Sequence, residues 1–110
     1  MNLQAFLLCD SYHEVKGKPH IEGVIDGAKP GLLKAVLFLR FAAEPSGSHE
    51  IVLDMRPPDR KLARLWAGEV VTNRIHNHAH TLEEEVVRGK YLFSAYVDGE
   101  PIGSAELEVR

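Results

Sequence analysis

The chain has 110 residues, of which 45% are hydrophobic and 26% charged, with a formal net charge of −3 and a pI near 6.0. That length fits one domain with its own core, so no disulfide or metal staple is demanded. The lack of a cationic excess argues against binding to a phosphate backbone, and the single cysteine, Cys9, excludes an internal disulfide framework.

Short apolar segments with a period of two recur along the chain, separated by Gly, Pro, Asp and Ser clusters, which indicates an all-β protein. Leu3 to Cys9 is apolar on both faces and predicts a covered strand in which Cys9 packs as a small hydrophobe. Gln4 and Asp10 interrupt this stretch and no basic segment precedes it. Neither a signal peptide nor a membrane span is therefore expected, and a cytoplasmic location is the natural reading. Gly17-Lys18-Pro19 marks a turn before a strand from His20 to Ile25, and Asp26 to Gly31 reads as a loop.

In the next strand Leu33, Ala35, Leu37, Leu39 and Phe41 share one face, with Lys34 and Arg40 on the other. Pro45-Ser46-Gly47-Ser48 turns the chain, and Ile51, Leu53 and Met55 then alternate with Glu50, Asp54 and Arg56. The two strands predict a hairpin with one dry and one wet face. Pro57 and Pro58 end it, because neither can donate to a ladder. Asp59 is a candidate cap for a short helix over residues 60–67 that groups Leu62, Leu65 and Trp66 and stops at Gly68. The cations Arg60 and Lys61 in its first turn oppose the helix dipole; the alternative is a loop strapped to the core by Trp66.

The segment with most chemical content is Ile75-His76-Asn77-His78-Ala79-His80, followed by Glu83, Glu84 and Glu85. If residues 69–80 form a strand, Val71, Ile75 and Ala79 lie on one face. Thr72, Arg74, His76, His78 and His80 lie on the other, polar face. Imidazoles two apart have backbones ~7 Å apart and can chelate one ion through bonds of ~2 Å, whereas three along a regular strand cannot. His76 and His78 with a carboxylate from Glu83 or Glu85 would give a two-His, one-Glu site with an open position, suited to a transition metal such as zinc, iron or manganese. A solvated row of neutral imidazoles is the plainer alternative. His76-Asn77-His78 with Glu83 and Gly89 is also partly similar to the first metal motif of the cupin barrels. Gly68 lies too far upstream for that motif, and no second His-bearing motif follows. No nucleophile elbow and no phosphate-cradling glycine loop is present, and the basic cluster Arg56, Arg60, Lys61 and Arg64 reads as a solvated loop.

At the end of the chain Tyr91, Phe93, Ala95 and Val97 alternate with polar neighbours, and Ala105, Leu107 and Val109 return. A two-residue Asp98-Gly99 turn would set Phe93 opposite Ser104 and mix the faces. A three-residue loop, Val97-Asp98-Gly99, pairs Tyr96 with Glu100 and Phe93 with Gly103 and keeps the apolar sets together, so it is the predicted connection. Taken together these elements predict an immunoglobulin-like antiparallel β-sandwich of about seven or eight strands, spanning residues 1–110 as a single domain.

Several stretches carry a family resemblance: Ala5-Phe6-Leu7-Leu8-Cys9-Asp10, Gly17 to Asp26, the long strand Ala35 to Phe41, and Gly89-Lys90-Tyr91-Leu92-Phe93 with Val97 to Gly103. Together they resemble a family of small bacterial proteins of unknown function with an immunoglobulin-like sandwich fold. The resemblance implies the fold and no activity, and the histidine run departs from it. The expectation is a non-catalytic protein-binding or assembly module without a cofactor, pairing with a protein partner or with itself as a homodimer, and touching neither nucleic acid nor membrane. Leu92 and Tyr96 on the outer face of the last hairpin, with Trp66 nearby, make the expected contact patch. The competing expectation is a metal-binding protein or a cupin-like metal-dependent enzyme centred on His76, His78 and Glu83.

Overall fold

A computed structural model describes all residues from Met1 to Arg110. The period-two pattern builds nine strands: β1 (Asn2–Val15), β2 (Lys18–Ile25), β3 (Gly27–Ala28), β4 (Gly31–Ala42), β5 (Gly47–Arg56), β6 (Ala63–Thr72), β7 (Ile75–Val86), β8 (Gly89–Val97) and β9 (Glu100–Val109). They form two open sheets packed face to face, ordered β2-β1-β4-β7 and β3-β9-β8-β5-β6. All pairings are antiparallel except that of the two-residue β3 with β9. The core lies between the sheets. Phe6 and Leu8 of β1 and Leu37, Leu39 and Phe41 of β4 face Ile51, Leu53 and Met55 of β5, Tyr91 and Phe93 of β8 and Leu107 of β9. No helix is long and apolar enough to cross a membrane.

A second, smaller apolar layer sits on the outside of the four-stranded sheet. Phe38 projects away from the core, yet it is 1% exposed because Tyr12 stacks on it at 5.1 Å between ring centroids. Cys9 is buried nearby, its thiol directed at the Val36 carbonyl 3.5 Å away. Burial, with a further push from Asp10, raises the thiol pKa, as suits an unreactive packing residue.

Three sequence expectations are corrected. The strands either side of Pro45 do not form a hairpin: β4 pairs with β1 and β7, and β5 with β6 and β8, so the connection crosses between sheets. Alternation specifies which face of a strand is dry, but two dry faces meet equally well across the core as side by side. The short helix at residues 60–67 is replaced by β6, which begins at Ala63 and completes the edge of β5. An isolated two-turn helix carries a nucleation cost that its packing would have to offset, whereas a strand there gains a ladder. A register slip opposite Leu53 and Asp54 leaves Leu65 as the extra residue, so Leu65 and Trp66 both pack against the core.

The third correction concerns the last hairpin. Its connection is the two-residue turn Asp98-Gly99, with φ of 52° and 80°, the doubly positive geometry that matches strand twist. Face mixing is avoided by a bulge: Tyr96 pairs with Pro101 but Ala95 with Gly103, so Ile102 is the inserted residue. Beyond it Phe93 faces Ala105 and Tyr91 faces Leu107, and both apolar sets enter the core. Deleting Ile102 is expected to turn Leu107 and Val109 outward and abolish a cooperative urea transition. Ile102→Ala, which preserves the residue count, should cost about 1–3 kcal/mol in the same measurement.

Candidate functional site

β7 and β4 are joined by twelve consecutive pairs without a slip, from Gly31 opposite Val86 to Ala42 opposite Ile75. Directly opposed residues in an antiparallel pair project to the same face. Phe41, Leu39 and Leu37 belong to the core and stand opposite His76, His78 and His80. The three imidazoles therefore point into the gap between the sheets. This overturns the expectation of a solvated polar face shared with Arg74. The even-numbered residues do share a face, with Val70 against the core, Thr72 buried and Val71 exposed, but that face is the inner one, as the pairing of β7 with β4 requires.

The imidazoles line a seam between the edges of the two sheets. His76 lies against Phe41 at 5.6 Å, His78 against Trp66 at 4.4 Å, and the two imidazoles are 6.2 Å apart, all between ring centroids. Trp66 reaches His78 across Gly68, where a Cβ would come within 2.9 Å of the indole. Nε2 of His76 is buried with no hydrogen-bond partner. Burial lowers the pKa of all three histidines and takes His78 down to about 4, with smaller contributions from His76 and His80. The row is thus neutral near pH 7.

His49 enters the same interior from β5 with the opposite chemistry. Its Nδ1 is 2.6 Å from Asp98 Oδ2 and its Nε2 meets the Pro45 carbonyl, so both nitrogens face acceptors and the ring is held as an imidazolium. The Asp98 hydrogen bond is the leading cause of its raised pKa, and the same bond lowers that of Asp98. Asp98 Oδ1 also accepts the Glu50 amide at 2.9 Å, and the Asp98 amide donates to the Glu50 carbonyl. One ion pair thereby fastens the β8–β9 turn to the crossover between the sheets.

The structure does not assemble the expected metal ligands. Glu83 stands on the outer face of β7 beside Lys34, with Nζ to Oε1 at 3.7 Å, while His76 and His78 project inward. No group of three or more His, Cys, Asp or Glu side chains is arranged to hold one ion. The cupin-like placing also lacks its barrel, because both sheets are open. The expected contact patch divides as well. Leu92 and Tyr96 lie on the outer face of the five-stranded sheet, where Tyr96 pairs with Val52 beside a depression of about 370 Å³. Trp66 lies on the inner side of β6 and is not part of that patch. Asp54, 4% exposed, borders the depression and is held by Arg64 at 3.3 Å.

The element missed from the sequence is an open sheet edge. β2 carries Pro19 and a positive φ at Gly23, β3 has two residues, and β6 is bulged. β7 is regular over all twelve residues, contains neither Gly nor Pro, and has only β4 as a partner. From Ile75 to Leu82 it holds no charged side chain once the imidazoles are neutral. An uninterrupted run of that kind was the available signal. The chain matches no known protein family and no curated protein.

Acid should weaken the fold through the histidine row. A histidine whose folded pKa lies below its unfolded value of ~6.5 takes up protons preferentially when unfolded. Stability is then full above that value and falls as the pH drops toward about 4, where His78 is protonated in place. For His78 the loss is at most about 3 kcal/mol. His49 has the reverse sign: its stabilisation is complete below ~6.5 and fades as the pH rises through its elevated folded value. Asp98, with a depressed pKa, contributes above ~3.9 and loses its contribution as the pH falls through its folded value. The urea midpoint should therefore drop between neutral pH and about pH 4.5, and His78→Leu should reduce that drop. In an NMR titration His49 should protonate above the ordinary histidine range and move back toward it in Asp98→Asn.

Proposed function

We propose that this chain is a non-catalytic binding or assembly module that joins a protein partner by accepting a strand along β7. The observation that carries this reading is the contrast among the sheet edges. Soluble sandwiches blunt their edges with prolines, bulges, short strands or charge, and the other three edges here use such devices. β7 presents about eight uncharged residues before its acidic end, and that suits main-chain recognition of an extended segment. The same reading takes the sandwich as immunoglobulin-like, in keeping with the resemblance to small bacterial proteins of that fold. It places the protein in the cytoplasm, where the buried free thiol of Cys9 stays reduced.

Selection of displayed random peptides against the protein tests the proposal. Selected peptides should perturb the amide resonances of Ile75 to Leu82, and Ala79→Lys with Thr81→Lys should weaken their binding at least about tenfold by charging the edge. Peptides sensitive to Tyr96→Glu instead would move the binding surface to the outer face of the five-stranded sheet. Failure to select any edge-binding peptide would count against strand addition.

A further inference from the structure

We infer that the strand received by β7 is the β7 of a second copy, paired antiparallel about a twofold axis at Ala79 to give one continuous eight-stranded sheet. The inference rests on strand addition at β7 and adds the partner and the register. A twofold axis through an antiparallel pair requires one residue to face its own copy, so the paired residue numbers must sum to an even value. Centring on Ala79 sets Asn77 opposite Thr81, His78 opposite His80 and His76 opposite Leu82. The uncharged run of one chain then lies along the uncharged run of the other.

The flanking charges select this register over its neighbours. With the register extended one residue beyond β7, Arg74, in the bend that precedes it and held there by the Ala43 amide, falls opposite Glu84 at both ends of the pairing. Centring on His78 instead sets Arg74 against Leu82, and centring on His80 sets it against Val86. In both cases the complementary pair is lost. Antiparallel pairing also holds the two Glu83-Glu84-Glu85 runs at opposite ends, which matters for a chain of net charge −3. Asn77, Ala79 and Thr81 are small or short on the outer face, and none projects a bulky group over the joint. One strand pair is a small interface, so the dimer belongs with weak, reversible associations.

Variants with one cysteine added to the buried Cys9 read both partner and register. Under mild oxidation Ala79→Cys should form a disulfide-linked dimer, since facing Cβ atoms in such a pair are ~4.5–5.5 Å apart and little adjustment closes the bond. Asn77→Cys and Thr81→Cys should each stay monomeric alone, with like positions ~13 Å apart, but link to each other when mixed. The unmodified protein, whose Cys9 is buried, is the control. Sedimentation at a few hundred micromolar should show reversible dimers that Glu84→Arg weakens at least about threefold and that Arg74→Glu with Glu84→Arg restores. Cross-linking of Asn77→Cys to itself would overturn the register. A strict monomer with no cross-link would overturn self-pairing and leave strand addition to be judged by the peptide selection.

Discussion

The twelve unbroken pairs between β4 and β7 are the constraint on which the remaining architecture turns. β4 is committed by its buried face: Leu37, Leu39 and Phe41 are completely enclosed, so its orientation is fixed by the core. A strand paired with it in perfect register inherits that orientation residue by residue, because a slip of one position would exchange every side chain between the faces. Three imidazoles are carried into the interior in this way, although imidazole itself has only a modest preference for burial. The ladder also keeps β7 free of slips along its whole length, although it stands at the edge of its sheet.

The interior histidines divide into two kinds according to what surrounds their nitrogens. His49 meets a carboxylate and a carbonyl and is stabilised as a cation. His76 meets aromatic and apolar groups, and its Nε2 has nothing to bond. Proximity of the charged ring to the neutral one lowers the pKa of His76 further. Charge is thus concentrated at the crossover end of the sandwich, where the Asp98 carboxylate balances it, and is kept out of the seam under Trp66. The two environments explain why one residue type has opposite responses to pH in a single small core.

The layered all-β architecture was legible because alternation of apolar residues directly reports burial of one face. That pattern correctly assigned Leu33 to Phe41, Ile51 to Met55 and Tyr91 to Val97. Alternation does not tell which strands are neighbours, so it suggests a β4–β5 hairpin although the two belong to different sheets. Bulges were equally hidden. An inserted residue costs only a local disruption, but at Ile102 it makes the tighter turn compatible with the apolar pattern. Polarity suggests an outward orientation for the histidine row, whereas its orientation is decided by pairing with β4. β7 also runs on past His80 to Val86, so Glu83 lies in the same strand as His76, at an odd separation that sets the two on opposite faces.

Trp66 is the only tryptophan in the chain, and it packs directly on His78. An imidazolium quenches indole fluorescence far more strongly than a neutral imidazole does, by accepting an electron from the excited ring. The protein thus carries an intrinsic optical sensor at its seam. Dimming of its emission at constant fold would reveal when a proton first arrives beside the indole, and a red shift would reveal when water follows.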